Sequence, residues 1–528
     1  MYAPYEFVMN PNMTNNKFTT EHKNELYQNF IKLNKKFVQK GNYVIIGEMG
    51  IINKNNTQQR IDWGQYYLEN CRNFQLSAFL WDNGKWDNTL SADDTWGFFR
   101  RSQLTWENGV FIDAVLHSAK SEFKENYETF TFEPIATFNT ENVVIDYGNK
   151  KFDVTLSSKD IIDQVGFGWN LGNTFDAFND EYLPNQGLSS ETCWGNPETT
   201  EALIDALVKK GFKAIRIPVT WHNHLVDKTY TIDKKWMWRV KAIVDWCIYK
   251  GLYVILNTHH DQAKYHDSSI EYAEGYYPLV KDMEESERFL YNVWKQIATA
   301  FNNNYDHHLI FEGLNEPRIA DLEHEWSYDP DDEKCEEAAE VLNEYNRLIL
   351  SAIRSTAGNN AYRFVMVTPL AASYDYAVYS NFVIPDDTLY NPDTSLRRIL
   401  ISVHLYSPYN FAMDAYSGVT TCDSGCKSEL DSYFYNLYQK FVLKGYRVII
   451  TEMGSINKNN VSARVAWGKY FVQGARKRGL GSIVWDNQYW GSGSQGETFG
   501  LLHRDSLSWE PDEYVKALIS AAKTTLAW

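Results

Sequence analysis

Two carboxylates that each follow an apolar segment are the residues of this chain whose types and spacing best suit chemistry. Glu316 lies in IFEGLNEPR, residues 310–318, where an apolar run ends at a turn containing Pro317. Proline has no backbone N–H, so a strand cannot continue through it. Glu452 ends a second apolar run, VIITE. Two carboxylates at the ends of two strands suit hydrolysis of a glycosidic bond with retention, in which one is the acid/base and the other the nucleophile, about 5–5.5 Å apart.

The elements that must position these carboxylates alternate regularly from about residue 151 to the end of the chain. Apolar patterns predict eight strands, over residues 166–172, 212–218, 252–258, 308–314, 363–368, 398–405, 446–451 and 481–485. Amphipathic patterns predict helices between them, over residues 160–165, 201–210, 234–250, 285–301, 336–356, 428–444, 462–478 and 511–524. Eight strands alternating with helices predict an α/β fold, the (β/α)8 TIM barrel, with a doubly wound sheet as the alternative.

In such a barrel the active site is built from residues just past the carboxyl ends of the strands. The predicted strand ends carry a set of polar and aromatic side chains, which we interpret as substrate-binding residues: Arg216, His259, His260, Asn315, His404, Tyr406 and Trp485. Taken singly, each of these residue types is more often a packed core residue or a surface residue. Their coincidence at one rim is what indicates a site.

Charge suggests a role for each candidate. We expect Arg216 to lower the pKa of Glu452 and keep this nucleophile ionised. The ionised Glu452 should in turn raise the pKa of Glu316, so that Glu316 stays protonated as the acid. Tyr406 is expected to donate to the nucleophile, and Asn315 to hydrogen-bond a sugar 2-hydroxyl. Further hydrogen bonds and a flat apolar face for the sugar ring are expected from the remaining candidates, which are His259, His260, His404 and Trp485.

An internal repeat relates the two ends of the chain. Residues 43–56, YVIIGEMGIINKNN, match residues 447–460, RVIITEMGSINKNN, at 11 of 14 positions. Glu48 and Trp81 thereby correspond to Glu452 and Trp485, but nothing corresponds to residues 166–404, so the first copy has no partner for its carboxylate. We predict three regions: a truncated and inactive C-terminal part of the barrel over residues 1–122, a linker over 123–150, and a complete catalytic barrel over 151–528.

A partial barrel of this kind would have about two strands and three helices, with unpaired sheet edges. Two interpretations of it remain open. It is a passive remnant, or it docks on, or exchanges with, part of a complete domain.

The composition excludes several classes of partner. The formal net charge is −17, from 51 basic and 68 acidic residues, which disfavours nucleic acid and anionic membranes. No apolar run approaches the ~18–20 residues of a transmembrane helix, and the first residues lack the features of a signal peptide. The six cysteines form no metal-ligand pattern, and we predict no metal. A disulfide between Cys422 and Cys426 is left open. Glycosylation sequons occur at Asn12, Asn55 and Asn460.

The motifs at the predicted strand ends resemble those of glycoside hydrolase family 5, and most of all its endoglucanases of the anaerobic, rumen type. The likeness runs from about residue 157 to the C-terminus and rests on GWNLGNTFDA, AIRIPVTW, LNTHHD, FEGLNEPR, SVHLYSPYNF, ITEMG and IVWDN. It implies a retaining endo-β-1,4-glucanase acting on cellulose and mixed-linkage β-glucan, with Glu316 as acid/base and Glu452 as nucleophile. It also implies a secreted, extracellular enzyme without a cofactor.

Alternatives within the family are a xyloglucanase, a lichenase, a mannanase or a xylanase. An alternative outside catalysis is a carbohydrate-binding barrel, which the presence of both carboxylates disfavours. Because the duplicated domain resembles those of rumen-fungal enzymes, we expect the chain to be part of a longer product with further catalytic or docking modules.

Overall fold

The structure is a computed structural model that describes residues 1–10, 17–38, 42–85, 95–107, 109–119, 149–179, 186–227, 229–262, 275–320, 322–492 and 495–525. The chain divides into two compact units, residues 1–133 and 134–528. The predicted linker over residues 123–150 lies, except for its last two residues, outside the described residues. Asn12, the first of the sequons, lies outside them too.

Eight parallel strands of the second unit form a closed barrel. In chain order they are β1 (Phe167–Asn170), β2 (Ala214–Ile217), β3 (Tyr253–Asn257), β4 (Leu309–Glu312), β5 (Val365–Val367), β6 (Ile399–His404), β7 (Arg447–Met453) and β8 (Gly481–Val484). Each strand pairs with its neighbours in sequence, and β8 closes on β1. The predicted (β/α)8 barrel is therefore confirmed, and a doubly wound sheet, which would stay open, is excluded.

Helices surround the barrel at the predicted places. Those of eight or more residues are Ser158–Val165, Glu201–Lys210, Lys234–Tyr249, Met283–Ala300, Glu333–Arg354, Ser424–Lys440, Val461–Arg476 and Asp512–Ala521. Two short helices, Tyr374–Tyr379 and Tyr409–Ala412, were not predicted. They have six and four residues, respectively, too few for an apolar period to emerge from the sequence.

The helix Glu201–Lys210 illustrates how local sequence sets these bounds. The side chain of Thr200 accepts a hydrogen bond from the backbone of the first turn, which caps the helix. Gly211 ends it with a φ of 108°, a conformation that a side chain would strain. The apolar positions recur at helical spacing and are buried: Leu203, Ile204 and Leu207.

The interior of the barrel changes from apolar to polar along the strands. An apolar layer includes Ile255 of β3, Ile310 of β4 and Ile449 of β7, all fully buried. Because side chains alternate between the two faces of a strand, the residue two positions further points into the same interior. Those next residues are polar and fully buried: Asn170, Arg216, Asn257, Glu312, Ser402 and Thr451. A polar layer therefore separates the apolar core from the carboxyl edge of the barrel.

The first unit contains a parallel pair of strands, Val44–Met49 and Leu76–Leu80, and a short hairpin, Phe99–Arg100 with Thr105–Trp106. Its helices in the described residues are Tyr5–Val8, Thr20–Lys36, Thr57–Asn73 and Gly109–Ala119. In the strands, Ile45 is 64% exposed and Phe79 63% exposed, whereas the residues at the matching positions of β7 and β8 are buried. At these positions the strand pair of the first unit is therefore exposed to solvent. The equivalent positions of β7 and β8 are buried inside the barrel of the second unit.

Cys422 and Cys426 form a disulfide in the second unit, which answers the question that the sequence left open. Four further cysteines are free thiols: Cys71, Cys193, Cys247 and Cys335. Within the described residues, no helix has the length and apolar character needed to cross a membrane.

Candidate active site

The predicted site residues meet at the carboxyl edge of the barrel. Arg216 lies in β2 and Glu452 in β7, and His404 ends β6. The others follow their strands within a few residues: His259 and His260 after β3, Asn315 and Glu316 after β4, Tyr406 after β6 and Trp485 after β8. The structure thus brings together all nine residues from six strands.

The two carboxylates face the same nitrogen of one imidazole. His404 Nδ1 is 2.7 Å from Glu316 Oε1 and 3.6 Å from Glu452 Oε2. One atom of each of the three side chains lies within 4.8 Å of the others. The carboxylates of an inverting glycosidase stand about 6.5–9.5 Å apart to admit a water, whereas those of a retaining enzyme stand about 5–5.5 Å apart. The observed separation suits retention.

Arg216 is fully buried and fixes one side of Glu452. Its Nη1 donates to Glu452 Oε1 at 2.7 Å, its Nε donates to Glu312 Oε2 at 2.7 Å, and its Nη2 donates to Asn315 Oδ1 at 2.7 Å. Tyr406 donates its hydroxyl proton to the other oxygen of Glu452 at 2.8 Å. Both oxygens of Glu452 are therefore held by donors, and the rigid guanidinium fixes the plane of its carboxylate.

The pKa directions of the two carboxyl groups are opposite to those expected from the sequence. Burial acts to raise the pKa of Glu316, but the charge and hydrogen bond of His404, together with Arg318, bring it below its usual value. The pKa of Glu452 is raised, because burial outweighs the charges of His404 and Arg216. The expected net directions were therefore wrong, although Arg216 does act to lower the pKa of Glu452.

The physical reason is the position of His404. Burial acts to lower the pKa of its imidazole, but Glu452 and Glu316 together raise it. A cation between the two carboxylates favours the ionised form of the closer one, Glu316, and can hold the proton that Glu316 was expected to keep. The three groups titrate as one unit rather than as an isolated acid and base.

His259 and Trp485 form one wall of the site. Their rings are parallel within 1°, with centroids 6.0 Å apart. Burial lowers the pKa of His259 well below its usual value, which keeps the ring neutral. The indole sits against Gly172, where an added Cβ would lie 2.7 Å from its ring. Glycine at this position lets the indole reach its place.

His260 belongs to a more open part of the rim. Its side chain is 35% exposed and lies 3.9 Å from Asp176. The rings of Phe178 and Trp194 are centred 5.9 Å and 5.8 Å from its ring. The sequence analysis missed Trp194, which is 39% exposed, because it lies in the long segment after β1 and has no spacing that marks it.

The sequence analysis also missed Glu312. This residue is fully buried in β4 and pairs with Arg216. A signal was present, since an ionisable residue within an apolar strand is almost never fully buried unless it is paired.

The first unit repeats part of this geometry. Tyr2 donates to Glu48 Oε2 at 2.9 Å, as Tyr406 donates to Glu452 Oε2 at 2.8 Å. Trp63 Nε1 donates to Ala3 O at 3.0 Å, as Trp467 Nε1 donates to Ser407 O at 3.0 Å. The backbone N–H of Trp81 donates to Met49 O at 2.8 Å, as that of Trp485 donates to Met453 O at 2.9 Å. Trp81 differs in being 42% exposed, against 8% for Trp485.

A closed barrel with two carboxylates held this close at its carboxyl edge is the arrangement of a glycoside hydrolase. A family model described as cellulase (glycosyl hydrolase family 5) matches residues 1–87 and 176–491. The chain belongs to this family.

Named relatives agree with this assignment. Endoglucanase A of Clostridium longisporum is 42% identical over 376 residues, which cover 70% of this chain and 66% of that protein. The cellulase/esterase CelE of Acetivibrio thermocellus is 38% identical over 375 residues, which cover 70% of this chain and 41% of that protein. The chain thus spans less than two thirds of each. A solved structure of a glycoside hydrolase 5 lichenase variant from Caldicellulosiruptor sp. F32 with cellotetraose is 37% identical, with a TM-score of 0.64, and the match covers 73% of this chain and 100% of that one.

Proposed function

We propose that this protein is an endo-β-1,4-glucanase that hydrolyses internal β-1,4-glucosidic bonds of cellulose and mixed-linkage β-glucan with retention of configuration. The observation that carries the proposal is the cluster in which Glu316, His404 and Glu452 approach within 4.8 Å. The names of the relatives, endoglucanase and lichenase, support a β-glucan substrate.

In the first step Glu452 is the nucleophile. Its oxygen forms a bond to the anomeric carbon, and the bond from that carbon to the glycosidic oxygen breaks with its electron pair going to the oxygen. Glu316 gives a proton to this leaving oxygen. Arg216 and Tyr406 hold the attacking carboxylate in one orientation, so little freedom is lost when the bond forms.

The proton for this step is shared in the hydrogen bond between His404 Nδ1 and Glu316 Oε1, which are 2.7 Å apart. It moves to Glu316 as the leaving oxygen draws it, and His404 becomes neutral. In the second step a water oxygen bonds to the anomeric carbon and one of its protons goes to Glu316, which shares it with His404. The bond from the anomeric carbon to Glu452 breaks, and its electron pair returns to the carboxylate. The pair of groups explains how Glu316 can act as an acid although its own pKa is lowered.

The remaining predicted residues bind the sugar. Asn315 accepts from Arg216 through Oδ1, which leaves its N–H2 group to donate to a 2-hydroxyl, a contact that strengthens in the transition state. His259 and Trp485 offer parallel flat faces, and His260 offers a hydrogen bond at the rim. Stacking of this kind suits the apolar faces of glucose.

The substrate is tested by initial rates on carboxymethylcellulose, barley β-glucan, xyloglucan, mannan and xylan. We expect the glucans to be cut fastest. A higher kcat/KM on mannan or xylan would overturn the proposal, and a higher value on xyloglucan would move the assignment to the xyloglucanase alternative. Inactivity on all five, with binding retained, would support a carbohydrate-binding barrel.

We further propose that residues 1–122 are an incomplete and inactive copy of the catalytic domain, joined by residues 123–150 to a complete domain over residues 151–528. The match of the family model to residues 1–87 and the contacts of Tyr2 and Glu48 support this organisation. Activity and melting of residues 151–528 beside the full chain test it. Equal values indicate a passive remnant, and a loss in the shorter chain indicates that the first copy contributes.

The site of action follows from the substrate. Cellulose is an insoluble polymer outside the cell, so the proposed enzyme is secreted and works extracellularly, as part of a longer protein with further catalytic or docking modules. Detection of a longer product in culture supernatant, with antibodies to the barrel, tests this proposal. Restriction of the protein to the cell interior would contradict it.

A further inference from the structure

Glu312 lies in the polar layer below the active site, and three side chains surround it. Its Oε2 accepts from Arg216 Nε at 2.7 Å and from Asn257 Nδ2 at 3.0 Å. Its Oε1 accepts from the hydroxyl of Ser402 at 2.5 Å. A fully buried carboxylate is costly unless it is paired and hydrogen-bonded, and both conditions are met here. The chain places a charge where an apolar residue would continue the core.

The first connection from Glu312 runs to the proposed nucleophile. Arg216 uses Nε for Glu312, which leaves Nη1 for Glu452 and Nη2 for Asn315. Since the guanidinium is planar, the bond at Nε sets the direction of the other two. Without a partner for Nε, the guanidinium could turn and pair differently with Glu452.

The second connection runs to the wall of the site. Asn257 Oδ1 accepts from the backbone N–H of Val219 at 3.1 Å, so its Nδ2 is the donating end. This Nδ2 donates to Glu312 and also lies 3.1 Å from His259 Nδ1. A donor facing Nδ1 requires that Nδ1 be unprotonated, which places the proton of the neutral ring on Nε2.

We propose that Glu312 is a positioning residue that sets, through Arg216 and Asn257, the orientation of Glu452 and the tautomer of His259. The inference rests on the proposed role of Glu452 as nucleophile. Glu312 itself lies beneath the site and contacts its residues from the side of the core. A residue that only packed the barrel interior would need no charge. As a positioning residue, Glu312 pairs with the same guanidinium, that of Arg216, as the proposed nucleophile Glu452 does.

This sharing has a measurable consequence. The groups that face Glu452 are Arg216, His404, Tyr406, Glu316 and Glu497. If the charge at Glu312 is removed, Arg216 keeps one carboxylate partner instead of two, and its full charge then favours the ionised form of Glu452. The pKa of Glu452 falls, and the acidic limb of the kcat/KM profile, which reports this ionisation, moves to lower pH.

Glu312→Gln separates charge from shape. The glutamine oxygen can take the place of Oε2 and accept from Arg216 and Asn257. Its amide nitrogen can donate to Ser402, whose hydroxyl turns to donate to Thr451 Oγ1, 2.5 Å away. We expect a folded protein with an acidic limb at lower pH and kcat lowered about tenfold, because a neutral amide oxygen holds the guanidinium less firmly than a carboxylate does.

Ser402→Ala is the matched control. It removes a neutral hydrogen bond to the same carboxylate and leaves the charge, so the acidic limb should stay at the pH of the unchanged protein. Glu312→Asp keeps the charge on a shorter side chain, so kcat falls while the limb stays. If Glu312→Gln does not fold, Glu312→Asp still tests the inference. An acidic limb that moves in Glu312→Asp would overturn it.

Glu452→Gln measured in parallel separates the two levels of the argument. If Glu452→Gln retains turnover, the proposed function fails. If Glu452→Gln is inactive but Glu312→Gln has the profile and kcat of the unchanged protein, the positioning role alone is overturned. A lowered kcat with an unmoved acidic limb would also overturn it, because loss of packing alone would produce that result.

Discussion

His404 Nδ1 lies 2.7 Å from Glu316 Oε1, and the two residues are 88 positions apart in the sequence. Their contact couples the proposed acid to an imidazole whose pKa is raised against burial by Glu452 and Glu316. In the proposed mechanism acid catalysis therefore depends on a pair of groups, and its pH dependence should report both.

Removal of either carboxylate should abolish most of the turnover. We expect Glu316→Gln and Glu452→Gln each to lower kcat by about three orders of magnitude or more, because each removes a group that acts in the transition state. Rates on barley β-glucan measure the effect, with melting curves as the control for folding. A loss below tenfold in either variant would refute its assignment.

Azide should distinguish the two carboxylates. In Glu452→Ala it can enter from the face that the nucleophile occupied, so the glycosyl azide formed should have inverted configuration at the anomeric carbon. Proton NMR of the product identifies the anomer. Rescue with retained configuration would show that Glu452 is not the nucleophile.

Replacement of His404 by asparagine should move the basic limb of the kcat/KM profile to lower pH. In the unchanged protein the shared proton is lost as pH rises through the raised pKa of His404. Without the imidazole a carboxylic acid alone holds this proton, and a carboxylic acid loses it at lower pH than an imidazole. A basic limb that stays in place would show that the imidazole holds no catalytic proton.

Gly172→Ala should displace Trp485, since the added Cβ would lie 2.7 Å from the indole. We expect kcat/KM to fall about tenfold, or more, as for other displaced binding groups. Gly313→Ala is the control, because its Cβ would find its nearest neighbour at 3.4 Å, an ordinary contact. Equal effects of the two changes would argue against the role of the indole.

Glu48→Gln should leave turnover unchanged. Glu48 keeps the hydrogen bond from Tyr2, but the proposed incomplete copy over residues 1–122 has no counterpart of Glu316 in the sequence and so would lack an acid. Rates of the full chain on β-glucan, beside those of Glu452→Gln, measure this. A clear loss of activity would mean that the first copy contributes to a working site.

The sequence by itself determined the barrel and the membership of its site. Apolar strands and amphipathic helices are local patterns, and parallel strands in a barrel end at one edge, so Glu316 and Glu452 could be placed together without coordinates. The same pattern placed Arg216, His404 and Trp485. Helices of only a few residues, such as Tyr409–Ala412, carry too little periodicity to be found in this way.

The tertiary structure decided which charges face one another. Glu312 and Arg216 are 96 positions apart and Arg216 and Glu452 are 236 apart, and only folding brings them within 2.7 Å. The pKa values of Glu316 and Glu452 depend on burial and on His404, quantities that belong to the folded site rather than to any segment. Electrostatic energy varies with distance and with exclusion of water, so the net pKa directions of these groups could not be read from residue types alone.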